Sequence, residues 1–510
     1  MSDPAHKSAS RSKSHLKPRL GRRAFLGALG AVACGGPQPA PGSEPSARAA
    51  PIGRAPRSVI IVGAGLAGLA TARKLLKAGL DVQVLEAEPR VGGRIRTVRD
   101  GFAAGQYIEL GARHVVSDPL LVALCDELGV QRFSPYRDPR SEHARRVAIV
   151  SSGVRRSVQP TELPDDDAKL SAAERALGFP ERLTHYFPEA AARSAEELGW
   201  DSGLRELDAV SAADYLRRQG ASPGFIALLE SALVPGDSIE QSSALSIMRD
   251  AAAFRREINL PRGDGRVVGG TDRLPTAIAT ELGERLHLNA AVRRIGQGPS
   301  GARVEYEQGG KHHTLSADRV VCALPYSALR SVQLPVSVSA AKLKAIATAR
   351  MASVTRVWMQ YERRAWFDAG ESGRVETDML LGNIREETDL EGTPGILGAY
   401  LSGAQARRWL GVVSSQRVAR ARSELAVAMP GAVGLERTCG VFCWDEVATA
   451  RGGYSWFAPG ELTAAGSAYA APEGRLHFAG DHVSSRPGFM HGALESVERV
   501  VGEVLSARDY

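Results

Sequence analysis

Hydrophobic positions along this chain follow two periods, which alternate near both ends and give way to one of them in the middle. Ser58–Val62 (SVIIV) is a short unbroken apolar run closed by glycines, which predicts a buried strand. Apolar residues then recur at helical spacing from Leu66, and a second strand follows at Asp81–Leu85. A helix is predicted over 119–128, then a strand pair over 146–158 turning at Ser152-Gly153. Residues 161–254 change character. Ala, Glu, Leu and Arg dominate at helical spacing, as in 212–219 and 224–233, until Pro235, Gly236 and Asp237 break the pattern. Beyond lie a helix at 274–282, a strand at 286–295, a hairpin at 303–307 and 311–315, and a buried-type strand at 318–324. Strands at 354–362 and 395–401, an amphipathic helix at 417–428, a last strand at 476–480 and a last helix at 492–507 complete the chain, with no internal repeat. The pattern predicts an α/β protein with a helical insertion in its middle.

Composition adds little to this until it is read by region. At 510 residues, 44% hydrophobic and 24% charged, the chain can bury a core large enough for two interleaved domains. It has no run of about 20 apolar residues, so an ordinary membrane span is not expected. The net charge of +7 belongs to residues 1–56, which hold nine Lys/Arg against Asp3 and Glu44, while the remaining 55 basic and 55 acidic residues cancel. A near-neutral body does not imply a nucleic-acid partner.

The basic leader has its own pattern. Lys13, Lys17 and Arg19 precede Gly21-Arg22-Arg23-Ala24-Phe25-Leu26-Gly27, and a modest apolar stretch runs on to Cys34. This resembles a bacterial twin-arginine export signal, with Gly21 and Gly27 departing from the usual flanking residues. Ala31-Val32-Ala33 offers a cleavage site, and Cys34 stands where a lipoprotein carries its lipid anchor; both readings stay open. Residues 35–56, rich in Pro, Ala, Gly and Ser, read as a flexible tether. The expectation is a protein handed folded to the twin-arginine machinery and delivered to the periplasm or the envelope surface. Cys34, Cys125, Cys322, Cys439 and Cys443 form no metal-binding spacing, and His312-His313 reads as a solvated turn, so no metal is expected.

The strand at Ser58–Val62 runs into Gly63-Ala64-Gly65-Leu66-Ala67-Gly68, a G-x-G-x-x-G that opens a helix. Gly63 permits the tight turn, Gly65 lets backbone approach a pyrophosphate, and Gly68 lets helix pack on strand. Free N–H groups at the helix start, from Leu66 and Ala67 onward, face the phosphates. Glu86 closes the second strand, where a carboxylate accepts both ribose hydroxyls of an adenosine. The next residues, Glu86-Ala87-Glu88-Pro89-Arg90-Val91-Gly92-Gly93-Arg94, resemble the E-x-x-x-R-x-G-G-R extension of the flavin amine oxidase superfamily, which includes monoamine, polyamine and L-amino-acid oxidases. The resemblance continues in Phe478-Ala479-Gly480-Asp481 and in Gly488-Phe489-Met490-His491-Gly492-Ala493-Leu494-Glu495-Ser496, and so covers most of residues 57–510. It implies a discontinuous Rossmann-like FAD-binding domain (57–150, 263–330 and 446–510) and an α+β substrate domain made of a helical insertion (151–262) and a mixed sheet (331–445). It implies FAD, with Ala87, Gly92 and Gly93 beside the cofactor, Arg90 or Arg94 neutralising its pyrophosphate, and Gly111, Ala112 and Arg113 over the flavin. It also implies Val292 at the adenine, Gly480 and Asp481 at the ribityl or pyrophosphate region, and Phe489 and Met490 at a helix start facing the flavin pyrimidine.

The same resemblance assigns the chemistry. Arg451-Gly452-Gly453-Tyr454-Ser455-Trp456 is similar to a segment whose aromatic residue, with one in the last motif, flanks the amine; here these are Tyr454 and Phe489, whose π faces favour a developing iminium. Gly453 stands where monoamine oxidases carry a flavin-bonding cysteine, which implies non-covalent FAD. Leu324-Pro325-Tyr326-Ser327-Ala328-Leu329-Arg330 resembles a stretch ending in a lysine that holds water near flavin N5; with Arg330 in that place, either it serves as a fixed cation or the chain oxidises without that water. Arg113 is a candidate clamp for a substrate carboxylate, and His114 a candidate substrate contact. The implied function is oxidation of a C–N bond in an amine or L-amino acid, with O2 as electron acceptor and hydrogen peroxide as product. A desaturase acting on a C–C bond, like phytoene desaturases or protoporphyrinogen oxidases, and a non-catalytic FAD-binding envelope protein are the alternatives. A homodimer is the assembly kept open.

Overall fold

A computed structural model describes residues 54–115, 118–133, 146–159, 170–177, 179–194, 197–200, 203–232, 237–258, 265–388 and 394–508. The export signal, Cys34 and most of the tether lie outside the described residues, as do Pro235 and Gly236.

The first strand is central, as its unbroken run of Val and Ile predicts. Ser58–Val62 pairs in parallel with Asp81–Leu85 on one side and Arg319–Cys322 on the other, and is almost wholly buried. Leu476–Phe478 and Leu286–His287 add parallel strands at the two edges, giving a five-stranded sheet drawn from both ends and the middle of the chain. Helix Leu66–Lys77 covers one face, burying nine residues from Leu66 to Leu75. Its start is set by glycine: Gly63 has φ +103°, and a Cβ on Gly68 would lie 2.0 Å from the Gly63 carbonyl oxygen. The closing helix, Met490–Ser506, packs beside it on the same core, through Val497, Val500 and Val504. Ser496 Oγ accepts from Gly480 N at 2.8 Å, tying that helix to the end of the last strand.

The strand expected over 286–295 is two elements. Leu286–His287 stays in the parallel sheet, Asn289 turns the chain with φ +55°, and Ala291–Gly298 begins a separate antiparallel sheet with Gly301–Gln308 and Lys311–Ala317. Asn tolerates that left-handed backbone better than other non-glycine residues, and the turn reverses the sheet.

Val354–Tyr361 is the inner strand of a four-stranded antiparallel sheet, between Gly395–Ser402 and Glu436–Cys443, with Arg385–Glu386 at one edge. Helices Gly403–Leu410 and Arg417–Ala428 cover it, burying Trp409, Ala421 and Leu425. The segment read as a helical insertion holds helices Phe179–Tyr186, Ala212–Arg218, Pro223–Ala232 and Ala244–Ile258.

A lysine is buried in the core. Lys342, on helix Ala340–Thr348, is fully buried and donates to Tyr469 O at 3.0 Å and to Tyr326 Oη at 3.1 Å. Burial drives its pKa down from 10.5 to about 7. Between these values the unfolded chain keeps a proton that the folded protein releases, so stability rises with pH across the window and the full penalty applies below it. Lys342→Met is therefore expected to raise Tm by roughly 2 °C or more at pH 6, at about 2–4 °C per kcal/mol for a large domain. The gain should shrink toward pH 10. Thermal melts showing the same increment at both pH values would refute this.

Candidate active site

The strands of the parallel sheet end at one elongated cavity of about 890 Å³. One end is walled by Gly63, Gly65, Leu66 and Ala67 from the first turn and by Glu86 and Ala87 from the end of the second strand. Gly92, Gly93 and Arg94 form its side, and Val292 lines it from the antiparallel sheet. Gly480 and Asp481, then Phe489 and Met490, bring in the last strand and the last helix. Gly111, Ala112, Arg113 and His114 close the far part together with Tyr454. The predicted cofactor residues thus meet in one space, except Gly68 and Arg90.

Gly68 instead seats the helix against Gly63, as its place in the motif requires. Arg90 corrects the expectation. Its guanidinium donates back to the carbonyls of Val91 (3.2 Å), Gly93 (2.8 Å) and Ile95 (3.2 Å) and pairs with Glu88 at 2.9 Å. It shapes the Gly92-Gly93 turn and does not line the cavity.

The space fits FAD. Gly65 begins helix Leu66–Lys77 with no side-chain cap, and a Cβ there would meet nothing within 4 Å, so bare N–H groups face open room for a phosphate. The Glu86 carboxylate accepts from Ala64 N at 2.7 Å and Glu88 N at 2.8 Å, holding it at the adenosine end; burial raises its pKa. Arg94 donates to Gly453 O at 2.8 Å and forms an ion pair with Asp481, which also accepts from Gly488 N at 2.9 Å. Burial alone would raise the Asp481 pKa, but Arg94 and His482 outweigh it and hold the carboxyl below its usual value.

At the far end stand Tyr454 and Phe489. Phe489 is 46% exposed and stacks on His491, ring centroids 5.0 Å apart. Tyr454 packs beside the Gly488 turn, and burial holds its phenol far above the ordinary range, so it stays neutral. Arg451, just before it, has φ +55° in the cavity wall, a conformation uncommon outside glycine.

Two further expectations are corrected here. Arg330 does not face the cavity: it is exposed, its Nε donates to Ile346 O at 2.9 Å, and its Nη2 donates to Ala349 O at the end of helix Ala340–Thr348. On the short helix Tyr326–Leu329 and the turn after it, Ala328, Ser331 and Val332 line the cavity instead. Arg113 does line the cavity, but its guanidinium is paired with the Glu387 carboxylate, and its Nε donates to His114 Nε2 at 3.0 Å. It is not an open carboxylate clamp, and His114 is held as its acceptor.

Sequence reading missed Glu387, Arg356, Tyr400 and Trp444 here. Arg356 had one legible signal, a charge inside the otherwise apolar run of an inner strand; Glu387 had none, being an acid in a polar turn.

A Gly-rich phosphate turn, an acidic second-strand end and a second half returned from the chain's far end define an FAD-binding α/β oxidoreductase. Residues 66–505 match the family described as flavin containing amine oxidoreductase, and the chain belongs to that family. It is a flavin-dependent amine oxidoreductase that uses FAD. It is 25% identical over 471 residues to the putative L-amino-acid oxidase YobN of Bacillus subtilis, covering 88% of this chain and 95% of that protein. The L-amino-acid oxidase of Mus musculus is 27% identical, covering 86% of this chain and 69% of the relative. A putrescine oxidase solved with bound putrescine superposes with a TM-score of 0.73 at 26% identity, covering 88% of this chain and 99% of that one.

Gly68→Ala tests the cofactor wall. With 2.0 Å available to a Cβ, the helix must move off Gly63, and FAD content per chain should fall several-fold in purified protein. Stoichiometric FAD in the variant would refute the packing argument.

Proposed function

We propose that the protein is an exported oxidase that takes an amine or amino acid at the Tyr454 end of the cavity and oxidises its C–N bond. The observation that carries this is the continuity of one cavity from the Gly63–Ala67 phosphate turn to the aromatics Tyr454 and Phe489. FAD bound there supplies the two-electron acceptor for a hydride leaving the carbon that bears the amine. The protein's own work is placement. Tyr454 and Phe489 flank the amine, exclude water and favour positive charge as the C–N bond gains double-bond character. Tyr454 stays a neutral phenol, so it does not take the ammonium proton near neutral pH. The amine must arrive unprotonated or lose its proton to solvent. The imine formed hydrolyses to a carbonyl compound and ammonia or an amine. O2 is the proposed acceptor for the return of the electrons, giving hydrogen peroxide. Binding is non-covalent: Gly453 has no thiol, and a Cβ there would lie 2.4 Å from Val354 Cγ2.

Anaerobic titration with amines, L-amino acids and polyenes checks the reading through the flavin's visible absorbance. Bleaching by amines or amino acids is expected, with the yellow colour released into the supernatant on acid precipitation. Bleaching by polyenes alone, or colour retained in the pellet, would overturn the corresponding part.

Arg22-Arg23 and the apolar stretch behind them support delivery by the twin-arginine machinery, with FAD loaded before crossing, to the periplasm or to a lipid anchor at Cys34. Replacing both arginines by lysine should leave the protein in the cytoplasmic fraction of a bacterial host. Unchanged delivery would sink the export reading.

A further inference from the structure

Arg249 is buried without a hydrogen bond at any of its three guanidinium nitrogens. It lies on helix Ala244–Ile258, at 0% exposure. Its guanidinium carbon sits 4.9 Å from the Trp200 ring centroid and 5.5 Å from that of Phe457. Tyr469 stacks on Trp200 at 4.8 Å and meets Phe457 edge-on at 5.2 Å, so three rings cluster beside the arginine. The Tyr469 hydroxyl is likewise buried without a hydrogen bond. None of these four residues lines the cavity that FAD fills. Aromatic faces attract a guanidinium but offer its N–H groups no acceptor oxygen. A buried donor without an acceptor costs stability, most of all when it is charged.

The acids that act on Arg249 are engaged elsewhere or weakened. Asp208 accepts from Ser243 Oγ at 2.6 Å and from Thr463, through N at 2.8 Å and Oγ1 at 2.7 Å. Glu495 accepts from Ser485 N and Oγ, both at 2.9 Å, and pairs with Arg486. Asp250 is next to Arg249 on the same helix, and adjacent helical side chains do not face each other. Its Oδ2 is buried without a hydrogen bond, and burial raises its carboxyl to about 7, so its charge is incomplete near neutral pH. Tyr469, on which Arg249 also acts, is held by burial far above the ordinary phenol range and keeps its proton to donate.

We infer that the Arg249 guanidinium and the Tyr469 hydroxyl hold a small monovalent anion, of the class of chloride or bromide. Enclosure sets the size: Arg249 and Tyr469 are 0% and 1% exposed, and the rings of Trp200 and Phe457 flank the guanidinium. Asp208 and Glu495 set the charge, because both would repel a second negative charge on the ligand. The anion completes the counter-charge that Asp250 supplies only in part. Ser243 N donates to Phe457 O at 2.8 Å, so the start of the arginine's helix is tied to the segment that follows Tyr454. Anion binding therefore stabilises the packing of that helix behind the aromatic segment, at a place separate from the FAD cavity.

Thermal melts of the FAD-loaded full chain test this near neutral pH, with chloride or bromide replacing gluconate at constant ionic strength. Gluconate, a bulky carboxylate, serves as the excluded anion. Exchanging about 0.2 M gluconate for either halide should raise Tm by about 3 °C or more, as binding to the folded state alone requires. Equal Tm in gluconate and in both halides overturns the inference. Arg249→Met removes the cation and keeps an apolar side chain of similar length, so the halide response should disappear. An unchanged response in that variant overturns the inference. Tyr469→Phe removes one hydroxyl and decides the matter if the methionine variant does not fold. The halide concentration giving half the effect should then rise about threefold or more, the worth of one hydrogen bond, and an unchanged concentration overturns the inference. Crystals grown in bromide locate the ion. An anomalous peak within hydrogen-bonding reach of the Arg249 guanidinium is expected, and bromide found only elsewhere overturns the inference.

Discussion

The ion pair between Arg94 and Asp481 is the constraint on which the rest of the site depends. It joins the loop after the second strand to the end of the last, 387 positions away in sequence. Arg94 also donates to the Gly453 carbonyl, and Asp481 accepts from Gly488 N. The Arg94 carbonyl in turn accepts from Ala112 N at 3.2 Å and crowds Gly111, where a Cβ would lie 1.8 Å away. Segments that wall the FAD end and segments that wall the aromatic end are thus fastened to one pair. Asp481 is buried, so removing either partner would strand a charge, a loss of about 3–5 kcal/mol by comparison with other buried pairs. Arg94, expected from the sequence to neutralise a pyrophosphate, also holds the cavity's shape.

The two ends of the cavity use electrostatics differently. At the FAD end, charge is balanced locally: Arg90 against Glu88, Arg94 against Asp481, and bare helix N–H groups left over for phosphate. At the other end one glutamate, Glu387, serves two arginines, Arg113 and Arg356.

The FAD half of the site was legible because its demands fall on backbone and on short spacings. Gly63, Gly65 and Gly68 answer constraints that few other residues can meet, and Glu86 lies at a fixed distance along the same βαβ unit. The parallel sheet followed from runs of Val and Ile. The strand at 286–295 was misjudged because its break rests on the backbone of Asn289 alone. The substrate end was less legible for a related reason. Its side chains come from a sheet edge, an inner strand and a turn, and sequence spacing says nothing about which of them meet. Arg330 shows the limit: the motif placed a cation within one residue of the cavity, but the curl of Tyr326–Leu329 sends Arg330 to the carbonyls of Ile346 and Ala349 and turns Ser331 inward.

Overall similarity cannot choose the substrate. A putrescine oxidase at 26% identity and a putative L-amino-acid oxidase at 25% stand equally near, and each spans nearly all of its own length. A diamine needs an unoccupied anion at the far end of the cavity, and an amino acid needs an unoccupied cation. In this chain Glu387 is already held by two arginines, Arg113 and Arg356, so that carboxylate is satisfied by the protein itself. The choice therefore rests on which charge is already satisfied, a property of the folded wall that percent identity does not measure.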